Sequence, residues 1–129
     1  MKISATYDTC SGRSSNLQTL EDVTLDQAIR LVDSLDGLVH TEVLFEINDS
    51  TLTVSGGGGQ YFVSAFTSDE ESYILSADSA STDSIKLTVG GQPALLPRCQ
   101  VVSRVHAVDA IRCFFENSID FSKGWTIDS

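Results

Sequence analysis

The chain has 129 residues, enough for one domain with a sizeable core, and 41% hydrophobic against 20% charged residues marks a globular rather than a disordered composition. No apolar run approaches the roughly 20 residues of a membrane-spanning helix, and the N-terminus MKISATYDTC lacks the apolar stretch of a secretory signal, so the expected address is the cytoplasm, with no membrane partner. The net charge of −10 is concentrated in residues 8–83, where 14 acidic residues face only Arg13 and Arg30; such a chain repels a phosphate backbone, excluding nucleic acid as a partner, and attracts a basic protein.

In chain order, residues 2–7 (KISATY) alternate and are rich in β-formers, which predicts a first strand. The polar residues 9–20 read as a loop. Residues 24–37 then carry a helix: Thr24 is an N-cap with Gln27 three residues on, a capping box. Leu25, Ala28, Ile29, Val32 and Leu35 share one face, and Gly37 is placed to end the helix in a left-handed cap. Residues 40–48 alternate with Val43, Phe45 and Ile47 on one side, Asn48-Asp49 is turn chemistry, and strands are expected at 51–54, 60–66, 72–77 and 84–89. Short polar turns between them predict an antiparallel meander. Gly90-Gly91-Gln92-Pro93 breaks the run, and 99–102 reads as a last short strand. Ser103 is the N-cap expected for a second helix with Ala107, Val108, Ile111, Phe114 and Phe115 on its apolar face. Residues 118–129 read as an irregular tail, pinned to the core by Trp125. The expected fold is α+β: an antiparallel meander of about five to seven strands with two helices on one face, the whole of 1–129 forming one domain without internal repeat or linker.

Four consecutive glycines, 56–59, invite comparison with a phosphate loop. A phosphate loop needs a following lysine and a helix, and here Gln60-Tyr61-Phe62-Val63 continues as strand; the glycines read as a mobile hairpin tip or bulge. His40 and His106 have no second ligand at metal spacing and read as surface residues. The three cysteines, Cys10, Cys99 and Cys113, form no CxxC pair and suit free thiols, Cys113 in the core. Nothing local supports a Cys-His nucleophile. Tyr61, Phe62 and Tyr73 lack the interleaved bases of a nucleic-acid surface and read as packing residues. Neither a catalytic set, a metal site nor a cofactor is expected.

Residues 56–125 also carry an ordered set of pieces. They are a glycine-initiated strand with Tyr61 and Val63, the triplet Gly90-Gly91-Gln92, Pro97 followed by Val101 and Val102, a helix with Ala107, Ala110 and Phe114, and finally Trp125. The set resembles a family of bacterial immunity proteins from polymorphic toxin systems, linked chiefly with toxins of the nucleic-acid deaminase class. In one departure, Asn117-Ser118 stands where the family usually closes the last helix with a glycine. The resemblance implies an α+β fold, no catalysis, and a cognate toxin domain held inactive by binding in the producing cell.

The acidic composition agrees with it, since a toxin that attacks nucleic acid presents a positive surface. The candidate toxin contacts are the acidic turn Asp69-Glu70-Glu71 and the connection bearing Asp78 and Asp83. The free chain is expected to be a monomer. Two other readings stand beside this one: an acidic interaction subunit that regulates a non-toxin partner, and a small ligand-binding domain.

Overall fold

The computed structural model describes residues 2–12, 14–77 and 81–128. Seven strands form one antiparallel sheet: β1 (Ser4–Ser11), β2 (Ser14–Leu20), β3 (Glu42–Ile47), β4 (Ser50–Gly57), β5 (Gln60–Phe66), β6 (Ser72–Leu75) and β9 (Trp125–Ile127), in the spatial order β2-β1-β3-β4-β5-β6-β9. Strands β7 (Ser84–Val89) and β8 (Gln92–Pro97) make a separate hairpin. Helices α1 (Leu25–Asp33) and α2 (Arg104–Phe115) pack on one another and on β4 and β5. The architecture is therefore the expected α+β meander with two helices on one face.

The period-2 alternation of the central strands sets the core. Val43 and Phe45 of β3, Leu52 and Val54 of β4, and Val63 of β5 are wholly buried, facing Ala28 and Val32 of α1 and Ala107 and Ile111 of α2. Each of the larger side chains gains about 1.5–3 kcal/mol by leaving water. Phe45 also meets Phe115 edge to face, with ring centroids 6.0 Å apart. Trp125 packs partly buried against the same core, which pins the C-terminal segment as expected.

Five local expectations are corrected. Residues 9–20 are not a loop: they complete β1 and form β2, a hairpin in register from Ala5↔Leu20 to Ser11↔Ser14. All of β2 is exposed, so it carries no burial pattern; it is held by the ladder and by cross-strand contacts such as Thr6 with Thr19 at 3.0 Å. Gly37 does not cap α1. The helix ends at Asp33 with Ser34 as a right-handed C-cap, and Gly37 (φ +73°) turns the chain three residues later. There the Asp36 carboxylate accepts from the backbone N–H groups of Leu38, Val39 and His40.

Further along, Gly90-Gly91 does not end the strands but turns β7 into β8. Pro93 is tolerated in β8 because that strand pairs only with β7. Residues 99–102 hold a 3-10 turn, Arg98–Gln100, and a lone bridge from Val102 to Tyr61 rather than a strand. The tail supplies β9, the seventh strand, paired with β6 from Tyr73↔Ile127 to Leu75↔Trp125. Among the described residues no helix is long and apolar enough to cross a membrane.

Candidate protein-binding surface

The meander has two ends. One carries the β3–β4 and β5–β6 turns. The other carries the β4–β5 glycine turn, the loop after α1 and the tip of the β7–β8 hairpin. Asp69, Glu70 and Glu71 lie together and exposed in the β5–β6 turn. The turn is closed by Thr67 N–H to Glu71 O at 2.9 Å and Glu70 N–H to Thr67 O at 3.0 Å, with Glu70 at φ +65°. Asp83 is exposed beyond the opposite end of β6: its carbonyl accepts from Arg98 N–H, and the neighbouring Cys99 carbonyl accepts from Ala77 N–H. The length of β6 thus separates Asp83 from the acidic turn by on the order of 15 Å. Asp78 lies outside the described residues. The structure groups Asp69, Glu70 and Glu71 and does not bring Asp83 to them.

Beside the acidic turn is a groove of about 360 Å³ that the amino-acid pattern did not reveal. Its walls are the β3–β4 turn, the last residues of β5 and the C-terminus of α2, with Phe66, Phe114, Phe115, Ile119 and Phe121 as its apolar surface. Phe66, at the last position of β5, is 42% exposed. One of its lining rings is braced from behind the groove: Phe121 stacks on Tyr73 with centroids 4.1 Å apart and meets Trp125 edge to face at 5.2 Å, and neither Tyr73 nor Trp125 lines the groove. The only advance signal was an aromatic directly before the polar run, Phe66 ahead of Thr67-Ser68-Asp69-Glu70-Glu71.

The other end holds a polar cluster on the sheet face away from the helices. Asp8, Thr41 and Ser55 are the buried polar residues among those described, Asp8 being 4% exposed. The Asp8 carboxylate accepts from the backbone N–H of Thr41 (2.7 Å) and Glu42 (3.1 Å), from the Thr41 hydroxyl and from the Cys10 thiol. Burial pushes its pKa up, but the donations from Thr41, Glu42 and Cys10 outweigh burial and hold it below the usual carboxylate value. The Thr41 hydroxyl in turn accepts from Gly91 N–H at 2.9 Å, and Ser55 donates to Glu42 at 3.0 Å. These bonds tie the β7–β8 tip to β1 and β3, and no described buried side-chain polar atom lacks a partner.

His40 is not the plain surface residue expected. It is half-buried, its Nδ1 2.8 Å from the Asp8 carbonyl and its ring edge-on to Tyr7. His106 is exposed, with Nδ1 2.9 Å from the Ser103 hydroxyl, which therefore bonds the histidine instead of capping a helix N–H. Cys113, expected in the core, is half-buried, and Cys10 donates to Asp8 rather than to a histidine. Among the described residues no three His, Cys, Asp or Glu side chains are grouped to hold a metal ion.

The glycine cluster divides its work. Gly58 and Gly59 (φ +67° and +86°) form a two-residue turn. A Cβ on Gly57 (φ +145°) would stand 2.7 Å from the Leu35 carbonyl oxygen, where Asp36 bridges to Gly57. The cluster lets the end of α1 touch the sheet backbone. No protein-family model and no curated protein sequence matches the chain.

Proposed function

We propose that this protein is an immunity protein that binds a cognate toxin domain, of the nucleic-acid deaminase class, and neutralises it in the cell that makes the toxin. The reading starts from the resemblance carried by residues 56–125. One structural observation supports it: among the described residues every Asp and Glu except Asp8 and Glu42 is exposed, and only Asp33 and Asp109 are ion-paired, with Arg104 and Arg112, so most of the acid excess faces outward. A field of that kind accelerates encounter with a basic surface, and a basic surface is what a nucleic-acid-directed toxin needs for its substrate.

The test is co-expression with the toxin domain encoded by the adjacent gene, scored as growth rescue and as a co-purifying complex. Rescue with a stable complex is expected. A toxic domain that is neither rescued nor bound would sink the reading.

A further inference from the structure

We propose that the groove between the β3–β4 turn, the end of β5 and the C-terminus of α2 is a docking site for a protein segment. That segment presents an aromatic or aliphatic side chain next to lysine or arginine. The identity of that partner as the toxin rests on the immunity reading above; the chemistry of the segment does not.

Three observations converge. The groove is apolar and open, with Phe66 presented to solvent at its edge and Phe114, Phe115 and Phe121 within. Its volume, about 360 Å³, lies at the lower end of the range for binding clefts and suits one or two large side chains. One lining ring is already held, Phe121 by its stacking on Tyr73 and its contact with Trp125, so a ligand does not have to order it.

The rim decides the charge of the visitor. Asp49 sits between Asn48 and Ser50, both in the groove wall, and Asp69-Glu70-Glu71 directly follows Ser68, also in the wall. All four acids are exposed, none belongs to an ion pair among the described residues, and neither lysine nor arginine lines the groove. An apolar ligand without a cation would leave this field unanswered; a basic flank answers it. The anchor would be desolvated inside and the charges would lie at the wet rim, the division of labour found at tight interfaces, where the buried anchor sets dissociation and the rim sets association.

The experiment has two arms. In the first, the full chain and the adjacent-gene toxin domain are followed by surface kinetics at low salt. Phe66→Ser should raise the dissociation rate about tenfold. The triple variant Asp69→Asn, Glu70→Gln, Glu71→Gln should lower the association rate about tenfold, and Leu38→Ser, exposed at the other end, should change neither. Unfolding midpoints confirm that each variant is folded. Should Phe66→Ser not fold, Ser68→Lys, which adds a cation at the exposed rim, should weaken binding instead.

Toxin binding that ignores every groove variant would overturn the docking site while leaving the immunity reading intact. The second arm needs no toxin: backbone amide shifts are recorded with an amidated lysine-tryptophan-lysine tripeptide and with N-acetyltryptophanamide. Shifts at Thr67, Ser68 and Asn117 with the tripeptide, much weaker with the neutral compound, are expected. No shifts, or equal shifts with both, would overturn the proposal even where the toxin fails to bind.

Discussion

Asp8 shows how much one side chain can hold. It is buried, it stays below its ordinary pKa because of the groups that donate to it, and through Thr41 it reaches Gly91 at the tip of the second hairpin. Asp8→Asn preserves shape but puts an amide N–H₂ where one oxygen stood. Its remaining oxygen can serve Thr41 N–H and Glu42 N–H; the Thr41 hydroxyl, already accepting from Gly91, then has no acceptor for its proton. The expected loss at pH 7 is about 2 kcal/mol, the scale of a hydrogen bond to a charged group. The pH dependence follows from the sign of the shift. A carboxylate held lower in the folded than in the unfolded chain contributes fully above the unfolded value of 3.8 and loses that contribution as pH falls through the folded one. Asp33, Asp36 and Asp120, also held low, act alike in both proteins. Urea midpoints of wild type and Asp8→Asn should therefore keep their separation from pH 7 down to about pH 4.5 and converge as the pH is lowered below 3.8 toward about 2. A gap that stays constant down to the lowest of these values would mean the Asp8 charge is not linked to folding.

At the scale of elements, the helix ends carry separable contributions. Thr24 and Gln27 form the complete capping box, Gln27 N–H to Thr24 Oγ1 at 3.1 Å and Thr24 N–H to Gln27 Oε1 at 2.8 Å. The C-terminus of α2 closes without a glycine. Asn117 takes the left-handed conformation (φ +52°), with Asn117 N–H to Phe114 O at 3.1 Å and Ser118 N–H to Cys113 O at 2.8 Å. That is a Schellman closure, and asparagine is the residue after glycine that best tolerates it. Thr24→Ala should cost about 1 kcal/mol, and Asn117→Ala about 1 kcal/mol. Asn117→Gly should change stability by no more than a few tenths of that. Urea denaturation measures all three; an Asn117→Ala variant as stable as wild type would refute the strain argument. What was legible in the residues follows the same logic. The capping box was readable from the spacing of Thr24 and Gln27, and α2 and strands β3 to β6 because each buries one face and so shows a period. β2 was not, because an edge strand exposed along its whole length has no face to reveal. β8 was hidden behind Pro93, which a two-stranded hairpin accepts. The acidic turn was plain from its composition. The groove beside it was not, because it exists only where the C-terminus of α2 meets strands some 50 residues earlier in the chain.

At the scale of the whole molecule, one charge distribution has two consequences of opposite sign. The chain carries −10, and the ion pairs among its described residues, Arg104–Asp33 and Arg112–Asp109, are both exposed. Exposed pairs are worth little, so most of the negative charge repels itself. A domain of this length has a radius of gyration of about 14 Å. In 10 mM salt the screening length of roughly 30 Å exceeds that radius, and every acid feels the others; at 150 mM it falls to about 8 Å, and only neighbours count. The urea midpoint of the free protein should therefore rise as NaCl is raised from 10 to 300 mM. Association with a basic partner should slow over the same range, because the field that strains the free fold is the field that steers the encounter. Replacing Asp69, Glu70 and Glu71 by their amides should blunt both responses together. If salt instead destabilised the free protein, the charges would be arranged in net attraction, and steering by an outward acidic field would lose its basis.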